Sequence, residues 1–143
     1  MRKTIGLLAM VILACVGGFA QNSTPQWKVI RSGQGVHQSS QVPQTTLFTP
    51  TKVGAYRFTA YISSEGNSQN AGWTVGINWV DSTGITTGSF ASALLLNGTT
   101  FTNVGPVPFS VQPGTPVSLE IEATSPPPID STYTFWFTIE QLQ

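Results

Sequence analysis

The chain has 143 residues, enough for one domain once its N-terminus is set aside. Only 8% of the residues are charged, against roughly 25% in an average soluble protein. Six bases balance six acids; taking Arg2 and Lys3 away with a leader leaves 4 against 6, a net charge of −2, which excludes a basic surface for nucleic acid and an acidic tail.

Residues 1–20 read as a bacterial-style secretory signal peptide. Met1-Arg2-Lys3 is positive, Ile5 to Val16 is apolar, and Gly18-Phe19-Ala20 is a small-x-small cleavage signal before Gln21. The apolar run falls short of the roughly 20 residues a membrane span needs, so no span is expected. Cleavage after Ala20 leaves no cysteine, hence no disulfide and no thiol chemistry. The expected location is then extracellular or periplasmic. The alternative is a lipoprotein: Ile12-Leu13-Ala14-Cys15 resembles a lipoprotein box, and its use would lipidate Cys15 and anchor the protein.

Residues 21–44 read as a flexible arm. The stretch is rich in Ser, Gln and Gly, holds the only histidine, His37, and offers Trp27-Lys28-Val29-Ile30 as a short strand or docking segment and Val36 to Val42 as an alternative edge strand. The predicted β-sandwich domain runs from 45 to 143. Thr45 to Thr49 is strand-like. Gly54 to Ser63 is the clearest strand, with Tyr56, Phe58, Ala60 and Ile62 on one face and Ala55, Arg57, Thr59 and Tyr61 on the other. Gly72 to Asp81 follows, with Trp73, Val75, Ile77 and Trp79 inward. Asp81-Ser82-Thr83-Gly84 has the residue order of a type I turn.

Ile85 to Leu96 is a Ser/Ala/Thr-rich strand, and Asn97-Gly98 reads as a hairpin turn. Thr99 to Val104 and Val107 to Val111 read as two short strands split by Gly105-Pro106. Gln112-Pro113-Gly114-Thr115 fits a type II turn. In Pro116 to Ala123, Val117, Leu119, Ile121 and Ala123 point in and Ser118, Glu120 and Glu122 point out. Pro126, Pro127 and Pro128 stiffen the next connection. The last strand, Thr132 to Leu142, sets Tyr133, Phe135, Phe137 and Ile139 inward and Thr134, Trp136, Thr138 and Glu140 outward. No helical periodicity appears outside the leader. About seven to nine strands spaced by turn signals predict an all-β, antiparallel sandwich or barrel. A chain of this length buries roughly two-thirds of its surface without a disulfide staple.

Thr46-Leu47-Phe48-Thr49-Pro50 followed by Gly54-Ala55-Tyr56-Arg57-Phe58, with the closing aromatic strand, resembles the jelly-roll heads of the complement-collagen and tumour necrosis factor-like class. It also looks like small secreted or phage-tail β-domains. The resemblance covers roughly Thr45 to Leu142. It implies a single jelly-roll sandwich that assembles as a trimer and binds through its surface without catalysis. The chain has no collagen-like or coiled-coil stalk, and the resemblance carries over no binding residue.

Tests for chemistry point away from an enzyme. A nucleophile needs a base within hydrogen-bond reach; His37 near Ser39 or Ser40 is better read as a solvated loop histidine. With no second histidine and no mature cysteine, no zinc site is expected. Glu120 and Glu122 share an outward face, where they read as a charged solvent face guarding the sheet from edge-to-edge contact rather than as a glycosidase pair. Glu65, Asn67 and Asn70, with Asp81 or Asp130, match no calcium loop. No cofactor or metal is expected. The functional signal is aromatic: Trp27, Tyr61 and Trp136 lie off the inward faces and are the candidate contacts for a partner. That partner is expected to be the protein itself, as a homo-oligomer, or another cell-surface protein or a glycan. The alternative to an assembly module is a small carbohydrate-binding module; a hydrolase ranks last.

Overall fold

The computed structural model describes residues 24–66, 71–94, 98–124 and 130–143. The leader with Cys15, the prolines 126–128 and Asn97 lie outside those residues. Eight strands account for most of what is described: β1 (Trp27–Gln38), β2 (Val42–Phe48), β3 (Ala55–Gly66), β4 (Gly72–Val80), β5 (Thr86–Leu94), β6 (Gly98–Ser110), β7 (Val117–Ala123) and β8 (Ser131–Leu142). They form two four-stranded sheets, ordered β1-β8-β3-β6 and β2-β7-β4-β5, with every pairing antiparallel. Two facing sheets with this strand order make an eight-stranded jelly roll.

The alternation that marks the strands also builds the core. The expected inward set of β3, β4, β7 and β8 is buried, from Tyr56 and Phe58 through Trp73, Ile77 and Ile121 to Phe137 and Ile139, except Ala123 at the end of β7, which is half-buried. Rings from both sheets interlock there: Trp73 lies 4.6 Å from Tyr133 and Trp79 lies 4.8 Å from Phe109, centroid to centroid, within the range where aromatic pairs add to burial.

The turns follow their chemistry. Gly84 N donates to Asp81 O at 3.0 Å and Asp81 N to Ile85 O at 2.9 Å. Gly84, at φ +87, completes a three-residue hairpin loop between β4 and β5. Asp81 Oδ1 accepts from Thr83 N, Thr83 Oγ1 and Ile85 N, and these bonds hold its carboxyl below the usual range. Thr115 N donates to Gln112 O at 3.3 Å, and Gly114 takes φ +80, as a type II turn requires.

Four features depart from the sequence reading. First, residues 27–38 are strand rather than arm, so the sandwich begins well before 45. The reason lies in the partner strand. Gly33 and Gly35 sit under Phe137 and Phe135 of β8: a Cβ at either glycine would lie 2.5 Å from a ring carbon. β8 thus supplies the apolar bulk, and β1 shows no apolar alternation of its own. Second, residues 98–110 form one strand. Gly105-Pro106 is a bulge in it, since Phe58 pairs with Val107 and Ala60 with Val104. Third, β5 and β6 belong to different sheets, so the Asn97-Gly98 link joins no ladder partners. Fourth, Ser118 is buried rather than outward-facing in water, because Gln44 Nε2 of β2 bonds its hydroxyl at 2.8 Å.

Candidate functional site

The outer face of the β1-β8-β3-β6 sheet carries the residues that strand alternation turns away from the core. Tyr61 on β3 pairs with Trp136 on β8, and the neighbouring row pairs Ser63 with Phe101 on β6. Adjacent strands bring such side chains within contact. The Tyr61 and Trp136 rings lie 6.3 Å apart, with planes 10° from parallel. Tyr61 and Phe101 lie 5.9 Å apart at 27°. Three rings from three strands therefore form one row across the sheet. Phe101 is 63% exposed and Trp136 40%, while Tyr61 between them is half-buried.

Amides flank the row in register. Gln34 of β1 pairs with Trp136, and Asn103 of β6 pairs with Tyr61; both are exposed. Charges stand four residues away along β3 on either side, roughly 13 Å. On one side, Arg57 binds Glu140 through Nε and through Nη2, the latter at 3.0 Å. The bond from Arg57 holds the Glu140 carboxyl below its usual range and raises the guanidinium. On the other side, His37 Nδ1 lies 3.4 Å from Glu65 Oε2, His37 exposed and Glu65 half-buried. The rings thus occupy an uncharged band between the Arg57–Glu140 ion pair and the Glu65 carboxylate with His37 beside it.

Tyr61 and Trp136 are brought together. Trp27 is not part of their row: its ring sits against Arg57, 4.6 Å from centroid to guanidinium carbon, and it pairs with Leu142 at the far end of β8. Phe101, Gln34 and Asn103 belong to the band without having been singled out in the sequence. Only the β3–β6 register sets Phe101 beside Tyr61.

The remaining candidates assemble no chemistry. His37, at φ +49, meets Glu65 and donates its backbone N–H to Thr134 Oγ1 at 3.3 Å. Ser40 instead offers its carbonyl to the Tyr133 hydroxyl at 2.7 Å. Glu120 accepts from Asn78 Nδ2 at 2.6 Å. β7 is an interior strand, so Glu120 and Glu122 guard no sheet edge. Among the described residues no three of His, Cys, Asp and Glu gather as metal ligands, and no helix is long and apolar enough to cross a membrane. A cleft of about 250 Å³ at one end of the sandwich is lined by Ile30, Phe48, Pro50, Lys52, Tyr56 and Gln141. Burial raises the Tyr56 phenol.

No family model matches the chain, and no curated protein does. Among solved structures it is similar to the VP2 subviral particle of infectious bursal disease virus, with a TM-score of 0.37 and 16% identity over 81% of this chain and 32% of that one. The chain thus spans about a third of that protein's length, and the assignment of the fold rests on the strand order alone. That order agrees with the jelly-roll part of the resemblance noted above; membership of the complement-collagen and tumour necrosis factor-like class is not shown.

Proposed function

We propose that the protein is an exported, non-catalytic β-sandwich that works by surface contact, chiefly by assembling with copies of itself. The observation that carries this reading is the row Phe101–Tyr61–Trp136. Large rings on an uncharged, partly exposed band are the composition of a contact surface. Trp and Tyr are also the side chains most often found to dominate binding energy. A trimer is the form that the jelly-roll resemblance implies. Export follows from the leader, with a free protein beginning at Gln21 as the main reading and a lipid anchor at Cys15 as the alternative. The mass of the N-terminal peptide of exported protein separates the two; an intact leader on the exported protein removes both.

The test of assembly is absolute mass by light scattering after size exclusion, on the parent and on Trp136→Ala. A central ring is worth on the order of 2 kcal/mol or more to an interface. Its loss therefore weakens association about thirty-fold and shifts the mass toward monomer. An oligomer whose mass is unchanged by Trp136→Ala and Tyr61→Ala together refutes the reading for this face.

A second reading has its own observation. The cross-sheet row Gln34–Trp136–Tyr61–Asn103 sets two amides against two rings, and a neutral sugar needs apolar faces for its ring and amides for its hydroxyls. This reading predicts glycan binding by a monomer, abolished by Trp136→Ala and weakened by Gln34→Ala. A glycan array that stays blank removes it.

A further inference from the structure

The four edges of the two sheets are not alike. β1 breaks register between Val29 and Arg31 and between Gly35 and Gln38, and it carries Lys28 and Arg31. β2 breaks register twice and contains Pro43. β6 has the Gly105-Pro106 bulge and Pro108. β5 has none of these. It pairs with β4 in unbroken register from Val80↔Thr86 to Gly72↔Leu94, and its nine residues, TTGSFASAL, include no charge and no proline. Bulges, charges and prolines are the means by which an edge refuses another strand; an edge without them is a template for one.

The free groups can be named. The Asp81 N to Ile85 O bond sets the phase of the β4–β5 ladder. Thr87, Ser89, Ala91 and Ala93 turn their backbone N–H and C=O toward β4, and Thr86, Gly88, Phe90 and Ser92 turn theirs to the open side. Those four residues are exposed. Among the described residues they make no backbone bond beyond the strand ladder.

We propose that β5 pairs with β5 of a second copy, antiparallel about a two-fold axis at Ser89, joining the β2-β7-β4-β5 sheets of two sandwiches into one. The strand is self-complementary in three respects. It has no charge, so a copy meets no like charge. Its side chains beside the open groups are small apart from Phe90. The register sets Thr86 opposite Ser92 of the second copy and Gly88 opposite Phe90 of the second copy. Phe90, 51% exposed, already lies across two glycines of its own sheet: a Cβ at Gly76 would be 2.1 Å from its Cδ1, and one at Gly88 would be 2.6 Å from its Cε2. In the pair, glycine rather than a branched side chain stands beside each ring, and the two Phe90 rings meet diagonally across the axis. On the order of eight backbone hydrogen bonds close the joint. This interface is separate from the aromatic band and does not depend on what that band binds.

Light scattering over a concentration series tests the proposal, on the parent and in a Trp136→Ala background so that the two surfaces are read separately. The parent edge is expected to give a dimer in that background. Thr86→Lys with Ser92→Lys sets like charges opposite each other at both ends of the joint and halves the mass. Thr86→Lys with Ser92→Glu sets opposite charges there and restores the dimer. Both positions are exposed, so each variant keeps the fold, checked by circular dichroism. A background protein that stays monomeric at every concentration overturns the proposal, as does a dimer indifferent to the two lysines. Failure of the opposite-charge variant to restore the dimer overturns the register.

Discussion

Ser64 should be worth more to this fold than any other hydroxyl of its size. It is fully buried in β3. Its Oγ donates to Ala93 O at 2.7 Å and accepts from Trp73 N at 3.2 Å. Trp73 and Ala93 are ladder partners in the opposite sheet, so one hydroxyl of the first sheet bridges two strands of the second. Ser64→Ala removes both bonds and leaves a buried N–H and a buried C=O to find new partners. Each such group costs about 1–3 kcal/mol when left unmet. The two strands can draw together and recover part of that, so the net loss is about 2–4 kcal/mol. With a urea m-value of about 1–3 kcal/mol/M, the unfolding midpoint falls by roughly 1–2 M while m stays constant. Ser110→Ala is the control, since its hydroxyl reaches only Ser82 Oγ, at 3.4 Å on the exposed side, and should cost less than about 0.5 kcal/mol. If Ser64→Ala shifts the midpoint no more than Ser110→Ala does, the hydroxyl is not the joint between the sheets and the reasoning fails.

Two further predictions concern β1 and acid. Gly33→Ala drives a Cβ into Phe137, and overpacking of this kind costs about 1–3 kcal/mol. Adding Phe137→Leu should recover part of the loss in the same urea titration, and no recovery would mean that the ring is not what excludes a side chain at 33. The carboxyls of Glu140 and Asp81 are both held below the usual range, Glu140 by its bond to Arg57 and Asp81 by its bond to the Thr83 hydroxyl. A depressed folded-state carboxyl contributes stability above its unfolded pKa, about 4, and loses it as pH falls through the folded value. Thermal midpoints should therefore drop below about pH 4. The drop should be shallower in Glu140→Gln with Asp81→Asn; equal slopes for the double variant and the parent would refute the assignment.

What was legible in the sequence, and what was not, divides along a physical line. Burial of Phe58, Ile77, Ile121 and Ile139 follows from period-two alternation within their own strands. The Asp81 and Gln112 turns follow from residues at fixed offsets. The continuity of β1 was hidden, although Trp27 to Ile30 read as a short strand, because the inward positions between are glycines beneath another strand's rings, and pattern reading assigns bulk only to the strand that owns it. Ser118 was misplaced for a similar reason, since the Gln44 side chain that covers it comes from a strand 74 residues away. Tyr61 and Trp136 were each recognised as outward-facing. That they touch, that Phe101 joins them, and that Trp27 is drawn off to Arg57 depend on cross-strand register, which no local window contains. The open edge at β5 is likewise a property of the strand order, for the same nine residues in the middle of a sheet would be unremarkable.

The strand order also governs when the fold can form. β8 lies between β1 and β3, and the backbone of Gln26 exchanges hydrogen bonds in both directions with Gln143, the last residue of the chain. β3 can pair with β6 beforehand, but β1 has no ladder partner until residues 131–142 have been made, more than ninety residues after it. Contacts of such long sequence separation form slowly, because the loop between them must close first. A chain whose residues 131–142 are still withheld cannot complete this sheet.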